Sequence, residues 1–161
     1  MIWRNARTGS RSVRAVCLSA AIAIGLPAGL FCIQAVADEN MPNACPVDGC
    51  EVKIVAVEKD GDELKVTLEA NYMPDMSHNH VHVWWGENYT VEQVSNNAEP
   101  VYHVKQGDWH PTADYPVYIT QSSASTSVRG KATTLCVSAA DRNHDILDVT
   151  KFNCVDVSKY L

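Results

Sequence analysis

EVKIVAVEKDGDELKVTLEA, residues 51–70, reads as two strands joined by a turn. From 51 to 57 and from 63 to 70, apolar residues alternate with charged or polar ones, the period at which side chains of an extended chain leave on opposite faces. Between the runs stands Glu58-Lys59-Asp60-Gly61-Asp62. Asp-Gly between alternating runs is a strong hairpin signal, because glycine takes the positive φ that tight turns require. The two runs are expected as antiparallel neighbours, each sending one apolar row into a core.

The same period continues along the chain. HVHVWW (80–85), VYHVKQ (101–106), YPVYIT (115–120), TLCVSAA (134–140) and NCVDVSKYL (153–161) are further strand candidates, separated by Gly, Asn, Pro and Ser. Apolar residues never recur at helical spacing for more than about two turns. One short helical turn is expected in VEQVSNNAEP before Pro100 and another in LDVTKF before Cys154. About seven short strands joined by loops predict an all-β fold, an antiparallel immunoglobulin-like or Greek-key β-sandwich.

Residues 1–37 have the form of an export signal. MIWRNARTGSRSVR carries four arginines and no acid, an apolar run follows, and Ala35-Val36-Ala37 supplies the small-x-small pattern of signal peptidase. Cleavage there leaves residues 38–50 as a disulfide-bearing lead-in and 51–161 as a single β-sandwich domain, secreted or periplasmic, with no remaining membrane segment. The about 124 residues beyond the leader suffice for one core and not for two. Four of the thirteen Lys and Arg residues lie in the leader and all nineteen acids lie beyond it, so the remainder carries about ten excess negative charges. Such a surface repels phosphate, which excludes nucleic acid as a partner.

Four of the six cysteines survive cleavage: Cys45, Cys50, Cys136 and Cys154. An even number in an exported domain predicts two disulfides, and local pairing, Cys45 with Cys50 and Cys136 with Cys154, is expected.

The functional signal lies in MPDMSHNHVHVWWG, residues 73–86, which gathers two of four methionines, three of six histidines and two of four tryptophans. In a strand this stretch divides into two rows. Asn79, Val81, Val83 and Trp85 form the apolar row, expected toward the core; His78, His80, His82 and Trp84 form the other, expected on the outward face or rim. Residues two apart on one face stand roughly 6–7 Å apart, so His80 and His82 can share one ion, whereas His78 and His82 cannot in a straight strand. His103 in VYHVKQ is the expected third ligand, and His110 in GDWHP can close the site from the edge. Met73 and Met76 are soft thioether candidates beside the imidazoles, which favours copper over zinc.

Other constellations give less. An HxH strand in an exported sandwich with a disulfide resembles copper/zinc superoxide dismutase, but the likeness stops at His80 and His82, since that family's glycine-rich zinc loop has no counterpart. A blue-copper centre needs Cys, His and then Met, and no methionine follows Met76. DRNHDILD, residues 141–148, places oxygens at alternate positions, but the turn glycine and the bidentate glutamate of a calcium loop are missing; Asx-turn and capping roles are expected instead. No GxSxG elbow and no unpaired cysteine argue for a catalytic nucleophile. The expected function is thus metal buffering, carriage or sensing. The rival is an interaction or ligand-binding module whose Trp84, Trp109 and Tyr102 form an outward aromatic patch for a protein or small ligand.

Overall fold

The computed structural model describes residues 44–161, so the leader, its cleavage motif and the start of the lead-in lie outside the described residues. Seven strands follow in chain order: β1 (Val52–Asp60), β2 (Glu63–Ala70), β3 (His80–Trp85), β4 (His110–Thr112), β5 (Val117–Ile119), β6 (Thr134–Ala140) and β7 (Phe152–Asp156). Among the described residues, helical structure is confined to the one-turn α1 (Glu99–Tyr102) and four 3-10 turns. The strands form two antiparallel sheets, a first of order β1-β2-β5 and a second of order β4-β3-β6-β7.

The hairpin is tighter than its letters suggest. Asp60 pairs with Glu63, which leaves Gly61 and Asp62 as the whole loop, with Gly61 at φ 61°. A positive φ at the first of two central positions matches the right-handed twist of the flanking strands and is costly for any side chain bearing Cβ. A register shift between Ile54 and Ala56 turns exposed Val55 to water. Past this bulge the inward phase passes from Val52 and Ile54 to Val57, opposite Val66.

The inward rows of both sheets meet in one core. Val52, Ile54, Leu64, Val66, Leu68 and Tyr118 come from the first sheet; Val81, Val83, Trp85, Leu135, Val137 and Ala139 come from the second. Both expected disulfides form, Cys45–Cys50 before β1 and Cys136–Cys154 across the β6–β7 pair, where the two cysteines are register partners.

One strand expectation fails and another is cut short, since β7 ends at Asp156 and Ser158–Tyr160 form a 3-10 turn. Residues 101–106 are not extended: Pro100 stands in the first turn of α1, Val101 and Tyr102 lie within the helix, and His103 caps it in the left-handed conformation at φ 59°. Proline fixes a helical φ and lacks only an N–H that the first turn leaves unpaired, so it continues the turn begun at Asn96 instead of stopping it. The seventh strand is β4, three residues at the sheet edge, too short to show a period. The helical turn expected in LDVTKF is a hydrogen-bonded turn, Lys151 N–H to Asp148 C=O at 3.0 Å, after which Phe152 opens β7.

Candidate metal centre

Strand β3 is buried along its whole length, on both faces. Val81, Val83 and Trp85 enter the core between the sheets as the period requires. The opposite row does not reach water, which corrects the expectation of an outward, accessible histidine face: His80 and His82 are 0% exposed and Trp84 is 1% exposed. Residues after β3 fold back over this face. Val91, Val94, Val104 and Trp109 pack with Trp84 and Cys136 into a second apolar cluster. The neighbouring strand leaves room for the rings, because Ala140 and Ser138 are the register partners of His80 and His82.

Three imidazoles converge there. His80 Nε2 lies 3.2 Å from His82 Nε2 and 2.8 Å from His144 Nδ1. Among the described residues, His80, His82 and His144 each offer one ligand nitrogen within 4.8 Å of the others. Metal–imidazole bonds of about 2.0–2.1 Å set tetrahedral ligand nitrogens roughly 3.3–3.4 Å apart, so the His80–His82 pair already stands near that spacing and the His80–His144 pair would open by about half an ångström.

The proton inventory shows what the cluster lacks. His82 Nδ1 sits 2.7 Å from the carbonyl of Val94, which can only accept, so that nitrogen carries the proton and Nε2 presents its lone pair to the centre. This is the outer hydrogen bond that fixes the tautomer of a metal-ligating histidine. A neutral His80 holds one proton. If Nε2 carries it, Nδ1 is an acceptor without a partner; if Nδ1 carries it, two lone pairs face each other at 3.2 Å. Either way, Nδ1 is buried without a hydrogen-bond partner among the described residues. A cation at the centre removes the conflict between the lone pairs.

Burial keeps the rings neutral. It pushes the His82 pKa well below the ordinary histidine range. It holds His80 down to about 4, helped by His144 and opposed by Asp141. His144 is also lowered by burial, against the upward pull of Asp141 and Asp145. Neutral imidazole is the form that binds metal. Trp109, itself 0% exposed, stacks on His82 with ring centroids 3.8 Å apart and limits its tilt.

The other candidates lie elsewhere. His103, the expected third ligand, is an exposed helix cap because its segment is not a strand. His110 pairs with Val83 in β4, so its ring points between the sheets, where it stacks on Tyr118 at 5.8 Å; residues directly opposite share a face, and His82 uses the other one. His78 is exposed in the loop before β3, with Nδ1 at 2.9 Å from Ser77 Oγ and 3.5 Å from Asp75. Met73 and Met76 are 43% and 41% exposed in that loop. Trp84 and Trp109 are buried, so the aromatic patch of the rival reading does not form; of its three members only Tyr102 is exposed.

His144 escaped the sequence reading because it sits in a loop with no period. Asp141 Oδ1 accepts from the N–H groups of Asn143 and Asp145 at 2.7 and 3.0 Å, the Asx-turn role expected of this stretch. The same turn sets His144 at φ 64° and delivers its ring to His80. The available signal was positional: the loop leaves β6 directly after Ala140, the partner of His80. Reading it required knowing that β3 pairs with β6.

Comparison with protein-family models, with curated proteins and with solved structures finds no match for this chain.

Proposed function

We propose that this protein is an exported β-sandwich that carries or buffers one copper ion, which His80, His82 and His144 would hold. The observation that carries the reading is the convergence of three neutral imidazole nitrogens on one buried point, one of them already oriented by the Val94 carbonyl. An N₃ donor set suits copper or zinc, and copper(II) binds such a site more tightly than zinc in the Irving–Williams order. The ion would supply a Lewis-acidic centre held by neutral imidazoles alone.

The two disulfides suit an oxidising compartment outside the cytoplasm, as the leader-like residues 1–37 do. Among the described residues no helix is long and apolar enough to cross a membrane. The shared core of the two sheets supports the sandwich, within which immunoglobulin-like or Greek-key connectivity remains the reading of the whole.

Titration calorimetry of the oxidised protein beginning at residue 38 tests the function. One equivalent of copper(II) should bind, more tightly than zinc. The double variant H80A/H82A should lose affinity by on the order of a hundredfold or more, while H78A and H103A retain it. Unchanged affinity in the double variant, with its far-UV spectrum preserved, removes the metal reading.

A further inference from the structure

We infer that the metal enters and leaves at His144, and that Asn96 and Asp145 are positioning residues that set the rate by holding this ligand against the rest of the site. The inference rests on the metal reading above and concerns how the same site exchanges its ion.

The three ligands are mounted differently. His80 and His82 belong to β3, which is hydrogen-bonded to β4 on one side and β6 on the other, and both rings are fully buried. Moving either one means opening a sheet. His144 is half-buried on a loop, at a left-handed φ of 64° that a histidine does not choose unaided.

What holds that loop is specific. The Asn96 backbone N–H donates to the His144 carbonyl at 2.9 Å, and the Asn96 side-chain amide donates to the Asn143 carbonyl at 2.7 Å. The Asn97 N–H donates to Asp145 Oδ1 at 2.8 Å, and the Ile146 N–H donates to Ser95 Oγ at 2.9 Å. The preceding residue, Val94, supplies the carbonyl that takes the proton of His82 Nδ1. Residues 94–97 thus form one bracket that orients two of the three ligands, gripping His82 through its ring and His144 through the backbone of its loop. A loop that meets this bracket through four hydrogen bonds separates from it at far lower cost than a central strand leaves its sheet. Withdrawing it removes one ligand and breaks its contact with His80 Nε2. Because binding favours the docked loop, docking favours binding to the same degree.

Stopped-flow transfer of copper from the loaded protein to excess EDTA tests this. Asp145→Ala removes the acceptor for the Asn97 N–H and should speed release roughly tenfold or more. Asp145→Asn keeps an oxygen at that position and should release at close to the wild-type rate, a rescue that a charge effect would not produce. Asn96→Ala should speed release in the same direction and serves alone if Asp145→Ala does not fold. Release within about twofold of wild type in both alanine variants overturns the inference, as does Asp145→Asn releasing as fast as Asp145→Ala. A wild type that takes no copper sinks the metal reading and this one with it; copper bound with unaltered release sinks this one alone.

Discussion

Strands β2 and β3 are both written with a period of two, yet they end in different surroundings. In β2, Leu64, Val66 and Leu68 are buried while Lys65, Thr67 and Glu69 on the other face keep contact with water. In β3, the second row is as buried as the first. Alternation therefore determines which residues share a face and says nothing about what lies over it. The difference is carried by the second row's chemistry. Lysine and glutamate keep a face in water because burying an unpaired charge is costly. Histidine can shed its proton, and His82 satisfies its remaining N–H on the Val94 carbonyl, so this row can accept a cover. Trp84 does the same with its indole N–H, which donates to the Tyr89 carbonyl at 2.9 Å.

The cover over β3 depends most on Trp109, which is fully buried and stacks on His82. If the cover over β3 is a second core, Trp109→Ala should cost about 3–5 kcal/mol in urea unfolding, as much as truncating an aromatic in the main core. It should also weaken copper binding, because His82 loses the ring stacked at 3.8 Å. A loss under about 1 kcal/mol would show that the segment after β3 merely lies on the sheet.

How much of this was legible follows the same division. Strands β2, β3 and β6 were readable to the residue and β1 to within three, because each carries a period and turn residues at its ends. The disulfides were readable from spacing and compartment. Residues 101–106 were misread because Val101, His103 and Lys105 alternate with Tyr102 and Val104 by letter, while Pro100 starts a helical turn that the period does not register. Val104 is buried nonetheless, in the cover and not in a strand. The site was half legible. His80 and His82 follow from alternation alone, whereas His144 is brought in by the β3–β6 pairing and an Asx turn, two features separated from the HxH pair by more than fifty residues of chain. The orientation of the histidine row was correct and its exposure was not, since exposure depends on how residues 86–109 fold back over β3, which no local period reports.

The buried second row of β3 also makes stability depend on pH, which the outer face of β2 does not share through any histidine. His80 titrates at about 4 when folded, below the ordinary value of 6.5, and His82 and His144 are shifted in the same direction. As pH falls through 6.5 the unfolded chain takes up protons that the folded protein refuses, so stability is complete above that value and declines toward pH 4. For His80 alone the loss approaches on the order of 3 kcal/mol. In the upper part of that window most carboxylates are ionised in both states, so the slope there reports the buried rings. Urea midpoints of the metal-free protein from pH 7 to 4.5 should fall accordingly, and bound copper should raise the midpoint across that range, because the ion binds the folded protein and the protons bind the unfolded chain. A flat profile would mean that the rings are charged or hydrated, and the contrast with β2 would disappear.

The smallest expected effect tests the other half of the comparison. Thr67 is on the second row of β2, facing away from the core, with Ala56 and Val117 as its register partners on either side. Lys65, two positions before it on the same face, already places an ammonium there, paired with Glu58 at 3.0 Å. Thr67→Lys should therefore shift the unfolding free energy by no more than about 0.5 kcal/mol, because the long stem can lie along the sheet while the charge stays in water. The equivalent change in β3 would put a lysine at a fully buried position beside two other nitrogen bases, with no carboxylate partner among its hydrogen-bonding neighbours. A cost of several kcal/mol at Thr67 would show that the first sheet's outer face is covered as well. The rule drawn here, that the chemistry of the second row decides whether a strand acquires a cover, would then fail on the strand where it is simplest to read.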